Sequence, residues 1–204
     1  MGIGYKTAWV AVRDAAPEVV ADALGLRHRE EMGWTDGTEA AYRQGVFVAR
    51  AEPDPTWTLA HGRIHLTAGF NAADPWFPDW LRSLSAQLGE IQFFSTDRIG
   101  DCHGWARADA GELTRAYYYG NDAVPLHVGD RTDIERELGV GERQLEDGWQ
   151  SWGDQEWDAF MNAMPCEQDV MRIAERWSVC PLHIPEESVT DRGIHGFPAG
   201  FEPR

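Results

Sequence analysis

Residues 90–120 read EIQFFSTDRIGDCHGWARADAGELTRAYYYG, and how this stretch pairs with itself decides the fold. Residues 91–96 have the apolar and β-branched composition of a strand. Residues 101–108 and 112–119 form a hairpin around Asp109-Ala110-Gly111, read as a three-residue loop with glycine where a positive φ is required. With Ala108 opposite Glu112, the expected cross-strand pairs are Arg107 with Leu113, Trp105 with Arg115, His103 with Tyr117 and Asp101 with Tyr119. All lie on one face, because strand side chains alternate with period two. The opposite face carries Cys102, Gly104, Ala106, Thr114, Ala116 and Tyr118, small enough for a helix to pack closely. The first face is either a pocket floor or plain aromatic core with Arg115 and Asp101 paired at its edge. An arginine over the Trp105 ring would contribute about 0.5 to 2 kcal/mol.

Outward from this hairpin, the chain reads as short strands interrupted by helices. Residues 5–12 form a strand apolar on both sides, the pattern of a buried strand. Residues 14–24 form a helix with Pro17 in its first turn and Gly25 as its stop, and 27–38 read as a loop. Residues 43–50 and 57–66 read as strands separated by turns at Pro53 and Pro55. Residues 74–88 form a helix that Pro75 and Pro78 can enter only near its start. After a loop at 122–129, the pattern Thr132-x-x-Glu135 is a capping box opening a short helix to Leu138, which closes on Gly139. Residues 167–177 place Val170, Ile173, Ala174 and Trp177 at amphipathic helical spacing. The expected architecture is a single α+β domain over 1–185, an antiparallel or mixed sheet with helices packed mainly on one face. The Gly- and Pro-containing residues 186–204 read as an extended or disordered tail.

The 204 residues carry a formal net charge of -16, which speaks against a nucleic-acid partner, since phosphate backbones are met by basic stripes. An acidic surface favours a cationic partner or serves solubility alone. Three cysteines are too few for a disulfide framework, the start lacks the pattern of an export signal, and no apolar run approaches the roughly 20 residues needed to span a bilayer. A cytoplasmic, membrane-free protein is expected.

Other residues with chemical potential are scattered. Cys102-His103 and Cys180-x-x-His183 hold the donor set of a zinc site, but neighbouring strand residues face opposite ways, so no metal is expected. His61 and His65 lie about 13 Å apart along a strand, too far to share an ion, though either suits acid-base work. The chain has ten tryptophans, five of them (Trp76, Trp80, Trp149, Trp152 and Trp157) in or beside two helices. They are either core or a contact surface, since exposed tryptophan in an acidic frame is what a protein-binding face displays.

TAWVAVR (7–13), residues 95–120 and DVMRIAERWSVCP (169–181) together resemble a group of uncharacterised small bacterial α+β proteins. In character the chain is similar to immunity proteins of toxin systems; the resemblance brings no catalytic residues. The first reading is a non-catalytic binding protein, in its concrete form an immunity protein, whose acidic and aromatic surface occludes a basic protein partner, with Trp105, Tyr119, Trp152 and Trp157 as contact residues. The alternative is a small cofactor-independent enzyme, of the kind found in secondary metabolism. It would use His103 as acid or base, with Asp101, Arg115 and Tyr117 orienting a small polar or anionic molecule. Neither reading calls for a cofactor.

Overall fold

The computed structural model describes residues 6–52, 54–62, 66, 76–120, 123–142, 149–161, 164–184 and 192–199. Nine strands form one sheet: β1 (Lys6–Arg13), β2 (Arg27–Met32), β3 (Val46–Arg50), β4 (Trp57–Gly62), β5 (Ile91–Asp97), β6 (Cys102–Asp109), β7 (Glu112–Gly120), β8 (Ala123–Val128) and β9 (Gly193–Phe197). Their order is β2-β9-β3-β4-β1-β5-β6-β7-β8, and every pairing is antiparallel. Among the described residues six α-helices accompany it: α1 (Pro17–Ala23), α2 (Trp34–Arg43), α3 (Trp76–Leu88), α4 (Asp133–Leu138), α5 (Asp154–Met161) and α6 (Glu167–Trp177). The protein is thus α+β with an antiparallel sheet.

Helical cover extends to both faces. Val20 and Ala21 of α1 and Phe77, Leu81 and Leu84 of α3 pack with Ala8, Val10 and Val12 of β1. Trp34 of α2, Ile134 of α4 and Val170, Ile173 and Ala174 of α6 pack with Trp9 and Ala11 on the other side. The cause is legible in β1 itself: a strand apolar at successive positions needs an apolar layer on each side.

Three segments differ from expectation. Residues 27–38 are not a loop: they supply the edge strand β2 and the start of α2. The charged run RHREEM suits an exposed edge, where it discourages further pairing. Residues 123–128 form β8 at the opposite edge, where Pro125 is tolerated because one side of the strand needs no ladder bond. The segment assigned by composition to a tail contains β9, whose five residues are all buried between β2 and β3. The sheet therefore does not end at residue 185.

The hairpin register also shifts. Asp109 faces Glu112, leaving the two-residue turn Ala110-Gly111 with φ of 47° and 87°. Positive φ at both central positions is the hallmark of the tight hairpin turn whose twist matches the strands. A bulge on β7 then brings Arg107 opposite Arg115, Trp105 opposite Tyr117 and His103 opposite Tyr119. Leu113 consequently turns to the α3 face, whereas His103, Trp105, Arg115, Tyr117 and Tyr119 still share one face. The small face receives α3, as expected: Ala106 and Ala116 pack with Phe77, Leu81 and Leu84 of α3.

On the α2/α4/α6 side an aromatic row crosses the sheet. Register partners link His195 to Phe47, Phe47 to His61, His61 to Trp9, Trp9 to Phe94, Phe94 to Trp105, Trp105 to Tyr117 and Tyr117 to His127. Trp9 stacks on Phe94 at 5.1 Å and Trp105 on Tyr117 at 4.8 Å between ring centroids.

Candidate functional site

The face expected to hold His103, Arg115 and Tyr117 is not a pocket floor. Trp105, Arg115, Tyr117 and Tyr119 are each no more than 2% exposed, beneath α4 and α6. The capping-box glutamate explains why an arginine sits there. Glu135 accepts hydrogen bonds from Thr132 N–H at 2.8 Å, from the Thr132 hydroxyl at 2.7 Å and from Trp105 Nε1 at 2.8 Å. It also forms a fully buried ion pair with Arg115, whose Nε and Nη2 lie 2.8 Å and 2.5 Å from Oε1. The remaining guanidinium protons go to carbonyls of Val128, Gly129 and Gly141 at 3.1, 3.0 and 2.7 Å. Arg115 therefore has its donors committed to the protein, which locks β8 and the turn after α4 onto the sheet. Burial raises the Tyr117 hydroxyl above the ordinary tyrosine range, against the opposing pull of Arg115.

His103 is also buried. Its Nδ1 lies 3.0 Å from the Thr96 hydroxyl and its Nε2 lies 3.4 Å from Asp101, which is mostly exposed at the strand's start. Burial holds the imidazole below its ordinary pKa, while Asp101 and more distant Glu167 and Asp169 pull it upward. His103 and Asp101 thus form a pair at the sheet's end, whereas Arg115 and Tyr117 belong to a structural network further along it. The set does not converge on one reacting atom.

The zinc-type donors lie apart. Cys102 donates to Gly100 O and neighbours Gly120, on the face opposite His103. Cys180 is buried 3.4 Å from the Met171 sulfur, and burial pushes its thiol up to about 11. His183 pairs at the surface with Glu175. Among the described residues no three histidine, cysteine or acidic side chains are grouped as a metal site requires. His65 lies outside the described residues.

Of the four expected contact residues, Trp105 and Tyr119 are buried and out of a partner's reach. Trp152 and Trp157 are half-buried and gathered with Trp149 and Phe160: Trp149 to Trp157 is 5.9 Å, Trp152 to Trp157 5.3 Å and Trp152 to Phe160 5.3 Å. These four rings pack on one another and join neither sheet core. Trp149 is 38% exposed and Met161 53%. On the same helix Asp154, Glu156 and Asp158 are exposed, and DQEWDAFM contains no basic residue. Among the described residues no cation pairs with these three carboxylates.

Among the described residues five buried side-chain polar atoms have no hydrogen-bond partner: Trp9 Nε1, His61 Nε2, Gln92 Oε1, Glu167 Oε2 and Ser178 Oγ. Trp9 and His61 are register partners on β1 and β4. The alternating pattern places both side chains inward, but only three-dimensional packing reveals an unmet donor or acceptor.

No family model, curated protein or solved structure matches the chain.

Proposed function

We propose that this is a non-catalytic binding protein whose α5 surface, carrying Trp149, Trp152 and Trp157 among Asp154, Glu156 and Asp158, docks a basic protein partner. Its concrete form is an immunity protein that neutralises a basic toxin by covering it. The observation that carries the reading is the aromatic cluster standing outside both cores on a helix with exposed acids and no base. Semi-exposed tryptophans supply the large, stiff anchors around which interface energy concentrates. Carboxylates beside them, on a chain of net charge -16, speed encounter with a cation-rich surface and exclude acidic competitors.

The enzyme reading draws less support. Arg115 spends its donors internally, Tyr117 lies beneath α4, and only His103 and Asp101 remain at the sheet's end. Replacing Trp149 with serine and Asp158 with lysine should weaken partner binding about thirtyfold or more while the protein remains folded by circular dichroism. Unchanged binding by that variant would exclude α5 as the docking face.

A further inference from the structure

A charged side chain drawn out of water needs an opposite charge beside it. Among the described residues Arg82, Arg107, Arg115 and Arg131 are buried or half-buried, and each meets a carboxylate at 2.5 to 3.0 Å. Arg50, at the end of β3, is half-buried as well, on a chain with 34 acidic and 18 basic residues. Among the described residues it nevertheless has no carboxylate partner, and its guanidinium makes one hydrogen bond, from Nη1 to Pro55 O at 2.9 Å. Its setting is a cleft of about 260 Å³ that it lines with Pro17 and Glu18 of α1 and with Arg192. Val48 of β3 faces Ile194 of β9 in antiparallel register, and two residues further along lie Arg50 on one segment and Arg192 on the other. The two guanidiniums therefore rise from the same face of neighbouring segments, about 5 Å apart at the backbone, where like charges repel. Arg192 is loosely held: Nη2 donates to Glu31 O at 2.6 Å, Nε lies 3.8 Å from the Glu31 carboxylate, and both side chains are mostly exposed. Glu18 lines the same cleft and pairs with neither arginine. A sphere of the cleft's volume is about 8 Å across, so two positive charges and one negative lie within reach of one small molecule.

We propose that this cleft binds a free α-amino acid, its carboxylate taken by Arg50 and Arg192 and its ammonium by Glu18. Guanidinium forks match the carboxylate's plane and lone pairs, and an anion between the two arginines relieves their repulsion. The span fits: a charge-assisted hydrogen bond of about 2.8 Å at each end and the roughly 3 Å between carboxylate and ammonium of an α-amino acid together come to about 8 to 9 Å. A plain anion would face Glu18 across the same space, and a plain cation would face both guanidiniums. The zwitterion is the charge pattern that meets opposite charge at each end. Pro17 is the one apolar residue of the lining, so the ligand's side chain is not gripped and small amino acids bind alike. The site shares no residue with the α5 surface or the Arg115–Glu135 network, and it stands or falls independently of the docking reading.

The test titrates glycine, which carries the two charges and no side chain, into the whole chain labelled with nitrogen-15 arginine. The readout is the Arg50 Nε resonance, assigned through an Arg50→Met variant. The expected result is a saturable shift with Kd on the order of 1 mM, with acetate and methylamine each binding about fivefold or more weakly, as loss of one exposed ion pair implies. In Glu18→Gln the preference for glycine over acetate should disappear. Should Arg50→Met fail to fold, calorimetric titration of the native protein and of Glu18→Gln, altered at an exposed position, still decides the matter. Acetate or inorganic phosphate binding as tightly as glycine would reveal a plain anion site. An unchanged preference in Glu18→Gln would remove the ammonium from Glu18, and absence of saturable binding would leave the cleft to solvent. Each of these three results overturns the proposal.

Discussion

Arg115 shows how a residue with a catalytic appearance becomes structural once its partners are known. Arginine on a strand beside tryptophan and tyrosine reads equally as an anion clamp or as half of a buried ion pair. What decides is Glu135, 20 residues downstream, which serves its own helix cap, Trp105 and the guanidinium together. Breaking such a pair leaves an uncompensated buried charge. Arg115→Met should therefore lower the unfolding free energy by about 3 to 5 kcal/mol in urea titrations, and Glu135→Leu by a similar amount. The double variant Arg115→Met/Glu135→Leu should cost clearly less than the sum, because the second change removes the stranded charge. Additive costs would contradict the coupling.

His61 makes a pH-dependent prediction at the same scale. Burial, aided by His195, lowers its pKa from 6.5 to about 3. Between these values the unfolded chain binds a proton that the folded chain does not. The stability associated with neutral His61 is thus fully present above about pH 6.5 and is lost as the pH falls toward 3, by at most about 1.4 kcal/mol per pH unit. Comparing urea midpoints of the native protein and His61→Phe across pH 7 to 4 should show a shallower decline in the variant. Parallel declines would mean that carboxylates alone set the acid limit.

At the scale of elements, periodicity located α3, α4 and α6 to within a residue or two over the described residues, since each has a recognisable start, apolar face or stop. It failed where charge or proline disguised an edge strand, as in β2 and β8, because edge strands satisfy surface constraints rather than the apolar alternation of the core. β9 was missed for a different reason: GIHGF is too short and glycine-rich to read as a strand, and only its buried slot between β2 and β3 makes it one. In the hairpin of β6 and β7, Leu113 changes face with the shorter turn, whereas Arg115, Tyr117 and Tyr119 keep theirs although the register moves, because the bulge restores the parity. Ala110 occupies that turn at φ 47°, a conformation unfavourable to an L-residue with a side chain. Ala110→Gly should therefore stabilise the fold by about 1 kcal/mol, raising Tm by roughly 2 to 4 °C in calorimetry. A lower Tm would contradict the turn geometry.

At the scale of the whole molecule, two groups of aromatic residues stand apart from the rings that Trp76, Phe77, Trp80 and Phe93 bring together at α3. One set forms the row across the sheet from His195 to His127 and holds the core. The other gathers at α5, outside both cores and beside acids that no cation among the described residues pairs. The sequence displayed the tryptophans and the net charge of -16 but not this division, which depends on which rings the strands turn inward. None of the described helices is long and apolar enough to cross a membrane. The acids of α5 argue for a basic protein surface.

The most direct test of that account is the affinity of the native protein and of Trp149→Ser/Asp158→Lys for the partner that native protein retains from its own cells. The partner should be a basic protein, released as salt approaches about 0.5 M, and the variant should bind it about thirtyfold or more weakly, as loss of an aromatic anchor implies. Equal affinity for both proteins, or a retained partner that is acidic, would contradict the account.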